Sequence, residues 1–205
     1  VDTAAKTITV SGDTGVALTQ ASTALTNVDA SGLTGTGAAG GFTFTSGALA
    51  AASTIKGSGA GTNTVDFSAS VGVVNYTGGT GADTINFASA STKAHVITLG
   101  DGVNTVNGGT NGNGGLTVTG GSGVDTIATG SGVDIINGGL GNDIIASGTG
   151  LDLVTGGGGN DTYIIAGNNL ATGAGSTFTI NDLEGKTLSY KAVIIGDFPD
   201  KIFPL

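Results

Sequence analysis

The chain has 205 residues, of which 41 are glycine, and it lacks cysteine, methionine, tryptophan and arginine. Only 10% of residues are charged, the formal net charge is −9, and mean hydropathy is +0.28. These figures exclude a basic nucleic-acid footprint, a disulfide framework and a thiolate metal site, and no apolar run reaches the roughly 18 residues of a membrane span.

Residues 1–57 are rich in Thr, Ala, Ser and Gly, with alternating runs such as Thr7-Ile8-Thr9-Val10 and Phe42-Thr43-Phe44-Thr45. Period-two alternation predicts strands, read as the N-terminal part of a β-solenoid. Positive hydropathy argues against a disordered glycine-rich linker. No signal-peptide pattern stands at the N-terminus, and the start at Val1 is read as that of a fragment.

Residues 58–119 carry an irregular repeat. Phe42, Asn63, Asp83, Asn104 and Asp125 follow one another in steps of 20 or 21. Each has an apolar residue two positions on: Phe44, Val65, Ile85, Val106 and Ile127. A second series, Ser53, Val74, His95, Leu116 and Asp134, is followed in the same way by Ile55, Tyr76, Ile97, Val118 and Ile136. The two series predict opposite edges of one continuous coil. Carboxylates are absent from the second edge before Asp134, where two or three extra residues per coil enlarge metal-free turns. His95 reads as a packed or solvated residue rather than a ligand, and Asp101 as either an added ligand or a solvated turn residue.

Residues 120–164 are five uninterrupted nonapeptides, GGSGVDTIA, TGSGVDIIN, GGLGNDIIA, SGTGLDLVT and GGGGNDTYI, and a lone match, GGTGADTIN, spans 78–86. Glycines allow tight turns with left-handed backbone. Carbonyl and carboxylate oxygens on such a turn suit calcium, and the x-U-x that follows is a short strand with one inward apolar side chain. Two nonapeptides make one full coil. Asp125, Asp143 and Asp161 then form one ladder, and Asp134 and Asp152 the other. Aspartate also favours turns for its own sake, but a turn alone does not require it in the same slot five times.

This pattern resembles the RTX, or hemolysin-type, calcium-binding repeat, closely over 120–164 and singly at 78–86. The resemblance implies an all-β fold, a right-handed parallel β-roll or β-helix with a C-terminal cap. It also implies about three to five calcium ions lying between stacked turns, bound by backbone carbonyls and aspartates. Complete pairs would be Asp125/Asp143, Asp143/Asp161 and Asp134/Asp152. The implied ligands on the first edge are Gly120, Ser122, Val124 and Asp125, then Gly138, Leu140, Asn142 and Asp143, then Gly156, Gly158, Asn160 and Asp161. On the second edge they are Ser131, Val133 and Asp134, then Thr149, Leu151 and Asp152. Asp83 and Asn104 are weaker candidates, since an amide brings no charge.

Residues 165–205 contain no nonapeptide and are read as the C-terminal cap that a repeat array needs. There GDFPDKI (Gly196 to Ile202) resembles the stretch that follows RTX arrays near a type I secretion signal. LTNVDASGLTG (Leu25 to Gly35) resembles bacterial surface-layer sequences that lead into RTX motifs. Together they imply a calcium-binding structural protein of the bacterial surface, exported before it folds. Its implied partners are copies of itself and cell-surface polysaccharide. One alternative is the folding and secretion module of an exported enzyme or toxin. Another is an adhesin or ice-binding solenoid, for which the threonines look too irregular. No catalytic constellation accompanies the single His and the single Glu, Glu184, so an enzyme is not expected.

Overall fold

A computed structural model describes residues 5–20, 22–87, 92–109, 114–165 and 179–180. The predicted cap, with Glu184 and GDFPDKI, lies outside the described residues. Among those described, every regular element is a strand, and no helix is long and apolar enough to cross a membrane.

Odd-numbered strands form one nine-stranded sheet in the order β1 (Thr7–Gly12), β3 (Asn27–Leu33), β5 (Ser53–Lys56), β7 (Val74–Thr77), β9 (His95–Thr98), β11 (Leu116–Ser122), β13 (Ile135–Leu140), β15 (Leu153–Gly158) and β17 (Thr179–Ile180). Even-numbered strands form the facing eight-stranded sheet: β2 (Val16–Gln20), β4 (Gly37–Ser46), β6 (Gly61–Asp66), β8 (Asp83–Asn86), β10 (Thr105–Asn107), β12 (Thr126–Ala128), β14 (Ile144–Gly148) and β16 (Thr162–Ile165). Every pairing is parallel and joins a strand to the one a full coil away. The chain is therefore a two-sheet β-solenoid that crosses from one sheet to the other at each turn.

Register follows the inward apolar residue. Val65, Ile85, Val106, Ile127 and Ile145 align on one sheet, and Ile55, Tyr76, Ile97, Val118, Ile136 and Val154 on the other. All are buried. A shift of one residue would turn every one of them to solvent. Upstream of both series the solenoid continues through β1 to β3, but the coils that join β2 to β4 and β3 to β5 are longer. Val16 pairs with Phe42 and Val28 with Ile55, so the step that holds downstream loses the phase.

Coil size and core composition change together. The longer upstream coils enclose a chain of aromatic rings: Phe42 stacks on Phe44, Phe44 meets Phe67, and Phe67 contacts Tyr76 and Phe87. Their extra residues fall in the turns from the even to the odd sheet, so that the step from Val106 to Val118 is longer than that from Ile127 to Ile136. The coils after Leu116, each of two nonapeptides, bury essentially one aliphatic side chain per strand. Outside, the threonines are more regular than expected. Thr43, Thr64, Thr84, Thr105 and Thr126 stack in one column on the even sheet.

In the calcium-loaded protein, Ile127→Ala should cost about 2–4 kcal/mol, because the narrow coil has no second side chain to fill the cavity. Thr126→Ala, on the outer face, should cost under about 0.5 kcal/mol. Denaturant unfolding monitored by circular dichroism compares the two, and equal costs would contradict the assigned register.

Candidate metal centre

Stacking of alternate nonapeptides places the sixth-position aspartates in two columns at the coil edges. In each, one carboxylate oxygen accepts the backbone N–H of the equivalent residue one coil up. Asp143 Oδ1 takes the Asp125 N–H at 2.8 Å, and Asp161 Oδ1 the Asp143 N–H at 2.9 Å. On the opposite edge Asp152 Oδ1 takes the Asp134 N–H at 3.0 Å, and Asp134 Oδ1 the Leu116 N–H at 2.6 Å. These bonds fix the carboxylate planes and leave the second oxygens pointing into the turns.

Those second oxygens show what the turns lack. Oδ2 of Asp125, Asp134, Asp143 and Asp161 is buried without a hydrogen-bond partner. A buried charged oxygen without a partner is costly, and four of them in equivalent slots demand a cation or a proton. The surrounding donors fit a hard cation. A Cβ on Gly120 would collide with both Asp125 Oδ2 and the Gly138 carbonyl oxygen, and one on Gly138 with Asp143 Oδ2 and close on the Gly156 carbonyl. The first-position glycine is thus the cradle in which a carboxylate oxygen and the next coil's carbonyl converge. Among the described residues no group of three or more His, Cys, Asp or Glu is suited to a metal, and backbone carbonyls are the other oxygens at hand for a coordination shell.

The remaining implied ligands can offer only backbone oxygen, or are already engaged. Val124, Val133, Leu140 and Leu151 turn their side chains to solvent. The carbonyls of Ser122, Leu140, Gly158 and Thr149 accept N–H bonds from Gly102, Gly123, Gly141 and Gly132 of the preceding turns, and Ser131 bridges to Thr149. Asn142 Oδ1 caps the Asn160 N–H at 2.7 Å. The resemblance to RTX repeats implied carbonyls at positions one, three and five. The carbonyls at positions two and four also face the next coil: at Gly139 and Gly141, with φ of 108° and 145°, a Cβ would strike the Gly121 and Gly123 carbonyl oxygens.

At Asp83 and Asn104 the protein itself supplies hydrogen-bond partners for the polar atoms that face the turn. Asp83 Oδ2 accepts from the Tyr76 hydroxyl at 3.1 Å and Oδ1 from Asn63 Nδ2 at 2.6 Å. Asn104 Nδ2 donates to the Gly100 and Gly102 carbonyls of its own turn at 3.1 and 3.3 Å. The sequence hint was Tyr76 at an inward apolar position, the one such residue upstream of Asp125 with a hydroxyl to place. Asp101 is a turn residue, exposed and holding the Ser122 N–H and hydroxyl at 3.1 and 2.7 Å. His95 is packed, its ring against Phe87 and Nδ1 accepting the Val74 N–H at 3.0 Å. Burial pushes its pKa down to about 4.

A family model for the RTX calcium-binding nonapeptide repeat (4 copies) matches residues 117–145 and again 141–164. These coils are similar to RTX calcium-binding repeats. No curated protein and no solved structure matches the chain. RTX repeats bind calcium, and the four unpartnered Oδ2 atoms all lie within the matched residues. The RTX match stops short of Asp83 and Asn104, the two slots that are satisfied internally.

Burial raises the carboxyls of Asp125 and Asp134 from 3.8 to about 6 in the metal-free turn, and that of Asp143 in the same direction. A folded value above the unfolded one means that protonation favours the fold. The gain is complete below about 3.8 and is lost as pH rises through about 6. Metal-stripped protein should therefore gain β-structure when pH falls from 7.5 to 5, read by far-UV circular dichroism, while its calcium midpoint rises over the same interval. A flat response would show that these carboxyls are not raised.

Asp143 belongs to two stacked pairs and Asp152 to one. Asp143→Asn should raise the calcium concentration for half-folding about tenfold and Asp152→Asn roughly threefold, since carboxylate count sets calcium affinity. Titration of both variants checks the order, and the reverse order would break the pairing scheme.

Proposed function

We propose that this chain is a structural, non-catalytic component of a bacterial surface layer, exported with its calcium coils unfolded, which extracellular calcium then folds and assembles. The observation that carries this reading is the set of unpartnered Oδ2 atoms at Asp125, Asp134, Asp143 and Asp161. Metal-free, the narrow coils hold stacked carboxylates, little apolar core and many glycines whose ordering is entropically costly. Binding and folding are then one process. Millimolar calcium outside the cell and its scarcity inside would turn that coupling into a compartment switch.

Assembly is supported by what the calcium coils expose. Val133 and Leu151 lie one coil apart on the second edge, at 62% and 49% exposure, beside Ile135 and Leu153 on the odd sheet, at 49% and 42%. Such a strip is suited to a second copy of the chain and would form only once the coils close. The column of outward threonines favours a second reading, an adhesive or ice-binding solenoid. Its neighbouring column of Thr45, Asp66, Asn86 and Asn107 is mixed in charge and shape, which weighs against a repeating lattice match.

Calcium titration into metal-stripped protein, followed by far-UV circular dichroism and light scattering, tests the proposal. The expected outcome is a transition to β-structure accompanied by large ordered assemblies. A compact monomer at the end of the same transition would reject the lattice role in favour of a secretion module. No transition would remove calcium-coupled folding itself.

A further inference from the structure

The calcium ladder has an upstream end, and one side chain marks it. Asn104 Oδ1 accepts the Asp83 N–H at 2.9 Å, as each ladder carboxylate accepts the N–H one coil up. Its Nδ2 therefore corresponds to the orphaned Oδ2 of Asp125 and Asp143. Where those oxygens have no partner, Nδ2 donates to the Gly100 and Gly102 carbonyls. The reversed amide would set oxygen against two carbonyl oxygens, so the bonds fix its orientation. One coil further up, the Tyr76 hydroxyl and the Asn63 amide satisfy Asp83 in the same metal-free manner.

The core changes at the same place. Upstream coils bury Phe42, Phe44, Phe67, Tyr76 and Phe87, whereas downstream strands bury mostly a single aliphatic residue each. Aromatic burial of about 150–250 Å² per ring supplies stabilisation that the narrow coils lack. Asn104 also presents its own N–H to Asp125 Oδ1 at 2.9 Å, holding the first ladder carboxylate in its binding orientation.

We propose that the Asn104 amide takes the place of a cation and terminates the calcium ladder, so that the coils from Gly61 to Asn107 close without metal and template the first calcium-dependent coil. This rests on the calcium reading of the turns from Asp125 to Asp161. Folding of the array then begins at Asp125 and runs toward the C-terminus, each bound ion completing the edge on which the next coil stacks.

Hydrogen exchange on the whole chain, metal-stripped and calcium-loaded, tests both layers separately. The expected result is that β6, β8 and β10 are protected in both states, while β12 to β16 gain protection only with calcium. Equal, fast exchange of β6 to β10 and β12 to β16 in the metal-free chain would overturn the template. If calcium protects nothing, the calcium reading fails and takes the proposal with it. In Asn104→Asp the amide donor is lost and a ladder carboxylate gained. The variant should lose metal-free protection in β8 and β10 and take up one additional calcium by equilibrium dialysis. Native behaviour in both readouts would overturn the assignment, and the native chain's exchange pattern stands as the test even where the variant does not fold.

Discussion

One interaction organises this molecule: an inward acceptor at each coil edge that takes the backbone N–H of its counterpart one coil up. Parallel stacking brings equivalent residues together, so whatever fills a slot must satisfy a donor above it. Asp125, Asp134, Asp143, Asp152 and Asp161 do so with a carboxylate oxygen, Asn104 with an amide oxygen, and His95 with an imidazole nitrogen. The acceptor is common to all, and the second polar atom of each side chain decides what the turn needs next. An amide nitrogen finds carbonyls, a neutral imidazole packs on a phenyl ring, and the carboxylates of Asp125, Asp134, Asp143 and Asp161 are left with an oxygen that only a cation or proton can meet. Metal dependence is thus a property of single residues laid over a uniform scaffold.

The same view accounts for the unequal halves. Wide coils have room for phenyl rings and close on apolar burial, whereas coils of two nonapeptides have room for one side chain per strand and substitute ions at their edges. Both are physical routes to the same coil, and the chain changes from one to the other between Asn104 and Asp125.

Much of this was legible in the sequence because the signals are periodic. The nine-residue pattern after Gly120 dictated strand, turn, ladder and inward residue, and the longer, nearly constant upstream steps carried the register back to Phe42 and Ser53. Three things were not legible. The coils that pair Val16 with Phe42 and Val28 with Ile55 lengthen, which breaks the count, and Thr/Ala-rich strands carry no marker in the slot. Which oxygen of a carboxylate is satisfied depends on neighbours one coil away, so Asp83 looked like its downstream equivalents until Tyr76 and Asn63 were placed beside it. The carbonyls at positions two and four belong to glycines, whose direction is a matter of backbone torsion that glycine itself does not disclose.

Because each strand pairs only with its counterparts one coil before and after, the array has no fixed length. Removing two successive nonapeptides within 120–164 would rejoin equivalent slots and shorten the roll by one rung. Removing a single one would still let every strand bury its apolar residue, yet would send all that follows to the opposite sheet, turning the outer face of Ile135 and Leu153 into that of Ile144 and Thr162. Copy number is therefore free to drift in evolution only in pairs, with an odd change inverting which surface the rest of the chain presents.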